Sequence, residues 1–335
     1  PQPLSVADIN DPNVVVGRYL SCATSENVPW IWSPEDGLRA LNVPPGYSEG
    51  RPAAINNHGV VVGRAIGSPS LRACVWTADS TFIDLGLPDG ISSAQVEAVG
   101  INDNGMIAGN VGVVPTRWHL DSLNAEMLDL DEINGLSARA AGIDHLGRVY
   151  GWIGRIPYEQ GPTDLFIWDG DDVTVVLTPP GAHSIRPNDI SPAGNVAGIL
   201  FYEAADCAPF PGCVEFGLGG NPNGLYDLGA YPKSSDCSAW AVNDAGQYLG
   251  ACSFAGVLLW QHGDITPLID FIVGGVEQIS SLSGSSIAIN DRGSIAVKGS
   301  ATSINDRRTY VLVPIDRPQG DVNIDCAVDV HITLR

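Results

Sequence analysis

The stretch AAINNHGVVVG, residues 53–63, decides the fold. It runs from an apolar Ile-Asn pair through a short polar turn into three valines, with a glycine on each side of them. Asn and Gly tolerate the left-handed backbone that a tight turn demands, and asparagine also bonds its own backbone. Valines favour a pleated, half-buried surface. The stretch therefore reads as two strands joined by a tight turn. It recurs as ADINDPNVVVG from Ala7, VGINDNGMIAG from Val99, AGIDHLGRVYG from Ala141, NDISPAGNVAG from Asn188, WAVNDAGQYLG from Trp240 and IAINDRGSIAV from Ile287. The equivalent positions are Asn10, Asn56, Asn102, Asp144, Ser191, Asn243 and Asn290, at steps of 46, 46, 42, 47, 52 and 47 residues.

Two further signals follow each copy in a constant order. The first is an aromatic near the end of an apolar run: Trp32, Trp76, Trp118, Trp168, Phe216 and Trp260. The second sets a leucine beside an acidic or polar residue, as in RALNV, FIDLG, MLDLD, TVVLT, LYDLG and PLIDF. Each unit is then a meander of four short antiparallel strands. One such unit cannot cover both of its faces, so units must stack. Four strands in about 46 residues is the pattern of a propeller blade. The chain is expected to be an all-β protein, a β-propeller of seven four-stranded blades, with six or eight left open. The seventh copy reaches TYVLVPID and stops before its last signal, so its outer strand is expected to be missing. The propeller is assigned to residues 1–315, and residues 316–335 to a linker (DRPQG) and a short tail.

The I-N-D-x-G-x-x-x-G core with its later tryptophan resembles the HAF-type extracellular repeat family, over roughly residues 5–315. The resemblance implies a secreted bacterial repeat protein. It implies no activity.

Composition narrows the function classes. Lys+Arg number 17 against 38 Asp+Glu, a formal charge of −21, which repels nucleic acid and anionic membrane surfaces. No apolar run approaches the roughly 18–20 residues that span a bilayer. The chain opens at Pro1 without a signal peptide, which reads as a mature, processed or partial form. Seven cysteines occur without a C-x-x-C pair, so disulfides in an exported protein are expected rather than zinc or thioredoxin-type chemistry. Cys237 and Cys252 flank the blade-six turn symmetrically and should pair. Cys207 and Cys213 bracket a short loop and form a second candidate. Cys22 and Cys74 are left to pair by elimination.

The turn tips Asp11, Asn57, Asp103, Asp244 and Asp291 are equivalent, with His145 and Pro192 in the other two copies. They read as hairpin locks rather than as a cation-binding ring. The repeated tryptophans read as core between blades rather than as sugar platforms. No G-x-S-x-G elbow, H-E-x-x-H helix or phosphate loop is present, and the six histidines are scattered. The longest insertions, GRIPYEQGPTD and FYEAADCAPFPGC, fall on one rim. They would cluster Tyr158, Glu159, Tyr202, Glu203 and Phe210 as an aromatic and acidic ligand surface.

The tail GDVNIDCAVDVHITLR resembles the first calcium loop of a type I dockerin, a module that docks onto cohesins. The resemblance implies Ca2+ ligation by Asp321, Asn323 and Asp325, with Asp329 at the position often bridged by water. Cys326 stands where the family has glycine, and Ile332 where it has the last carboxylate. The sequence thus favours a secreted, non-catalytic binding or self-assembly module at the cell surface or in extracellular matrix. Its partner would be another protein, a further copy in a fibre or lattice, or an extracellular glycan. The alternative is an exported carbohydrate-active hydrolase or lyase working at the channel mouth. A pair of buried carboxylates with perturbed titration there would mark the enzyme.

Overall fold

A computed structural model describes residues 5–21, 26–67, 71–91, 94–129, 136–154, 163–203, 213–232, 234, 236–253, 255–271, 279–301, 307–314 and 328–334. Seven four-stranded antiparallel sheets form the blades of a propeller, each made from consecutive strands. The first strands are Ser5–Ile9, Tyr47–Ile55, Val96–Ile101, Ser137–Ile143, Ser184–Ile190, Cys237–Val242 and Ile279–Ile289. Together they line one central channel. The outer strands are Gly37–Ala40, Phe82–Asp84, Ala125–Met127, Val173–Val176, Gly224–Asp227, Asp264–Pro267 and Val328–Leu334. Helix among the described residues amounts to one 3-10 turn, Leu268–Phe271, and no helix there is long and apolar enough to cross a membrane.

Both glycines of the repeat have a steric reason. The first takes the left-handed turn position, as at Gly59 (φ 76°). In blade one that position falls to Asn13 (φ 64°). The second answers a β-bulge in the first strand, between Pro52 and Ala54 in blade two and at the matching place in blades one and three to six. The bulge presses a carbonyl onto the second strand. A Cβ on Gly63 would overlap the oxygen of Arg51, and one on Gly17, Gly109, Gly151, Gly198 or Gly250 would overlap the equivalent oxygen. Blade seven has its irregularities elsewhere, between Ile279 and Ser281 and between Ser283 and Ile287, and carries Val297 in place of this glycine.

The tryptophans are core. Trp30, Trp76 and Trp118 are fully enclosed, and Trp32, Trp168 and Trp260 nearly so. The clusters they join span blade junctions. Val16, Ile31 and Leu41 of blade one pack with Ile55, Val61, Cys74 and Trp76 of blade two.

Three expectations change. Residues 328–334, assigned above to the tail, are the outer strand of blade seven, with Val328 opposite Pro314 and Leu334 opposite Thr309. The alternation Val328, Val330, Ile332, Leu334 is that of a strand. The propeller therefore extends past residue 315, and Asp329 lies on this strand opposite Val313. Asp321, Asn323 and Asp325 lie outside the described residues. Finally, Cys74 is a free, buried thiol in the middle of a strand, not the disulfide partner expected for Cys22, which itself lies outside the described residues. Cys237 and Cys252 do form a disulfide, across the register that pairs them. Cys207 lies outside the described residues, and Cys213 begins a strand of blade five.

Candidate functional site

The channel mouth is built by the repeat's asparagine. In blade two, Asn56 accepts the amides of His58 and Val60 through Oδ1, at 3.1 and 2.9 Å, which locks its own turn. Its Nδ2 donates to the Asn102 carbonyl of the next blade at 3.1 Å. The same donation runs from Asn10 to Asn56, from Asn102 to Asp144, and from Asn243 to Asn290. Asn290 closes the circle onto the Asn10 carbonyl at 2.8 Å. Where blade five has Ser191, Asn195 supplies the donor and reaches the Asn243 carbonyl at 3.0 Å. Asp144 has no amide to give. It pairs with Arg148 at 2.7 Å and accepts Tyr150 Oη, and the blade four to five junction is bridged by His145, whose amide donates to the Pro192 carbonyl at 2.8 Å.

A second set of bonds joins the turn tips at five of the seven junctions. The amide of Asp11 donates to Asn57 Oδ1, that of Asn57 to Asp103, that of Ala193 to Asp244, that of Asp244 to Asp291 and that of Asp291 to Asp11. The turn tips thus lock the neighbouring blade as well as their own hairpin. Because every blade is made of consecutive strands, no exchanged strand closes the ring among the described residues. Closure rests on the Asn290 and Asp291 bonds, on Val6 N donating to Ser286 Oγ at 2.6 Å, and on Ala288, Ala296 and Val311 packing against Val6, Val15 and Trp30.

Inside the mouth is a cavity of about 440 Å³. Five aspartates line it: Asp11, Asp103 and Asp291 of the turn tips, and Asp8 and Asp189, each two residues before the repeat position. The other blades carry Ala54, Gly100, Gly142, Ala241 and Ala288 there. Asp8 accepts its neighbour's amide, Ile9 N, at 2.7 Å and the next blade's Ile55 N at 2.9 Å, one on each oxygen. Asp189 does the same with Ile190 N at 2.8 Å and Val242 N at 2.9 Å. Burial pushes the Asp8 carboxyl up to about 7; its backbone bonds oppose that and the charge of Asp189 adds to it. Burial likewise lifts Asp189 to about 6. At the rim, burial and the charges of Asp244, Asp11 and Asp103 hold Asp291 at about 6. No group of three or more His, Cys, Asp or Glu among the described residues is placed to hold a metal ion.

These two aspartates went unread in the sequence, although they stand inside ADINDPNVVVG and NDISPAGNVAG. The signal was their contrast with alanine or glycine at the same place in the other copies. Of the expected ligand rim, Tyr202 is partly buried in blade five, edge-on to Phe216 at 5.2 Å, with its hydroxyl 3.3 Å from Asp227. Tyr158, Glu159 and Phe210 lie outside the described residues, and Glu203 ends a strand of blade five.

No family model matches the chain and no curated protein does. Solved structures share its fold. The β-propeller domain of the Trilobed protease from Pyrococcus furiosus, described as having an open velcro topology, matches with a TM-score of 0.51 at 9% identity, over 92% of this chain and 93% of that one. An oligogalacturonate lyase in complex with manganese gives 0.55 at 10%, over 92% and 90%. An extracellular domain from B. thetaiotaomicron gives 0.54 at 10%, over 94% of this chain and 39% of that one. At such identities the likeness is one of fold.

Proposed function

We propose that this chain is a secreted, non-catalytic propeller that binds or assembles through its outer surfaces. The observation that carries the reading is the bonding of Asp8 and Asp189. Each oxygen of each carboxylate receives a peptide N–H, and one of each pair comes from the next blade. Groups held in this way are clamps between blades. A general acid or base needs a free face within reach of substrate. Location outside the cytoplasm is supported by the Cys237–Cys252 disulfide.

The outer edge of blade four offers a contact surface, and its occupant on this reading is a second copy. Six outer strands carry a charge, a histidine or a proline: Arg39, Asp84, Glu126, Asp227, Asp264 with Pro267, and Asp329 with His331. Such residues block edge-to-edge pairing. Val173–Val176 (VTVV) has none. The leucine after it, Leu177, is 73% exposed, whereas Leu41, Leu85 and Leu128 of other blades are at most 5% exposed. An uncharged strand of this kind matches itself antiparallel about a two-fold axis.

The second reading, a hydrolase or lyase at the channel mouth, is favoured by the raised carboxyls of Asp8 and Asp189 facing one cavity, the pair named above as the mark of an enzyme; against it, a peptide N–H already occupies each of their oxygens. A panel of neutral and acidic polysaccharides separates the two. Binding seen by affinity electrophoresis, with neither new reducing ends nor unsaturated products, supports the proposal. Cleavage that disappears in Asp8→Asn and Asp189→Asn overturns it.

A further inference from the structure

The far end of the first two strands has the opposite electrostatic character from the mouth. There the partners are Ser5 with Arg18, Arg51 with Arg64, Glu97 with Asn110 and Arg139 with Trp152. Ser5 is four residues below Ile9, about 13 Å along a strand rising ~3.3 Å per residue. A chain with only 17 basic residues places four of its arginines in this layer of blades one, two and four.

Three of them have acidic partners. Arg51 meets Glu49 at 2.9 Å, and Glu49 also accepts Asn27 Nδ2 from blade one. Arg64 meets Glu97 at 2.7 Å, and Arg139 bonds the other oxygen of the same Glu97. Both glutamates are therefore already shared. The Arg18 side chain is half-buried and makes no ion pair or hydrogen bond with any described residue. Its guanidinium is pulled below its usual value first by burial and then by the charges of Arg51 and Arg64, with Glu49 opposing. Across blades one to four, four arginines of this layer face Glu49 and Glu97; Arg186, at the same level in blade five, is exposed. A partly desolvated guanidinium beside like charges is unfavourable unless an anion joins it, and its planar fork matches an oxyanion.

We propose that Arg18, Arg51 and Arg64, at the junction of blades one and two, form a binding site for a multivalent oxyanion, a sulfate or a carboxylate group. The site is independent of whether the opposite mouth is catalytic. The long-range field of this acidic chain repels such ligands, but at physiological salt that field decays over ~8 Å, so contact with the arginines dominates once the ligand has arrived.

Titration calorimetry of the full chain with sodium sulfate and with citrate, against sodium chloride at matched ionic strength, tests the site. Both oxyanions should bind the wild type, and Arg18→Gln should bind about tenfold more weakly, the loss expected for one charged hydrogen-bonding group. Without added oxyanion, Arg18→Gln should melt no lower than the wild type, because the substitution relieves repulsion. Carboxymethyl cellulose serves as a second arm. If it displaces sulfate, the carboxylate is read on a glycan chain; if only citrate does, the ligand is a free anion. Equal affinity in the wild type and Arg18→Gln overturns the proposal. So does a lower melting temperature of Arg18→Gln in the absence of oxyanion, which would make Arg18 a structural residue.

Discussion

Replacing Asn290 with aspartate should open the ring at its seam. Asn290 is 4% exposed and its side chain makes four bonds. Oδ1 accepts Arg292 N at 3.1 Å and Ser294 N at 2.8 Å, and Nδ2 donates to the Asn10 carbonyl at 2.8 Å and to Asn13 Oδ1 at 3.1 Å. Aspartate keeps the first pair and turns the second into oxygen facing oxygen. Leaving a buried polar group unsatisfied costs roughly 1–3 kcal/mol, so two such losses amount to about 2–6 kcal/mol, several degrees in Tm for a chain of this size. Asn56→Asp is the control. It loses one donation, to Asn102 at 3.1 Å, at a junction where the chain itself runs from blade to blade, and should cost about half as much. Blade five shows how to restore the seam: Ser191 with Asn195 does the work of an asparagine at the first position. Asn290→Ser with Ser294→Asn should therefore recover part of what Asn290→Ser loses. Urea unfolding followed by tryptophan fluorescence measures all four variants. An Asn290→Asp cost within about 0.5 kcal/mol of zero, or no larger than that of Asn56→Asp, would refute the reasoning.

Three further outcomes follow from the same geometry. Asp8 at about 7 and Asp189 at about 6 bind protons more tightly folded than unfolded, where the value is 3.8. Their contribution to stability is therefore present below pH ~4 and lost as pH rises to ~7. Channel solvent screens both groups, so the wild type should lose about 1–3 kcal/mol across that window relative to Asp8→Asn/Asp189→Asn, read from denaturation midpoints at successive pH values. Reducing Cys237–Cys252, which closes a separation of 15 residues, should lower stability by about 2–4 kcal/mol; melting with and without reductant checks this. Val175→Lys on the outer edge of blade four should leave Tm unchanged and abolish concentration-dependent association in sedimentation velocity. A wild type that stays monomeric at high concentration removes the second copy as occupant.

The blade count was legible because asparagine, glycine and tryptophan recur in step, each for a local reason. The turn needs Asn56 and Gly59, the bulge needs Gly63, and the junction needs Trp76. What the sequence hid depends on contacts between blades. Nothing local shows that the side chain of Asn10 reaches across 46 residues to Asn56, or that Asn290 reaches Asn10 across 280. The outer strand of blade seven was hidden because its alternating apolar residues follow acidic spacing that resembles a calcium loop. Asp8 and Asp189 were hidden inside repeats whose asparagine and glycine carried the reading, and Arg18 because its neighbours Arg51 and Arg64 belong to another blade.

Amide hydrogen exchange at Ile55 and Val242 tests most directly whether the channel carboxylates clamp the blades. These two N–H groups donate to Asp8 and Asp189 from the next blade, at 2.9 Å each. Both should be strongly protected in the wild type. Protection of Ile55 should fall in Asp8→Ala and that of Val242 in Asp189→Ala, each without the other. Fast exchange of both amides in the wild type, or protection that survives the loss of its carboxylate, would contradict the account.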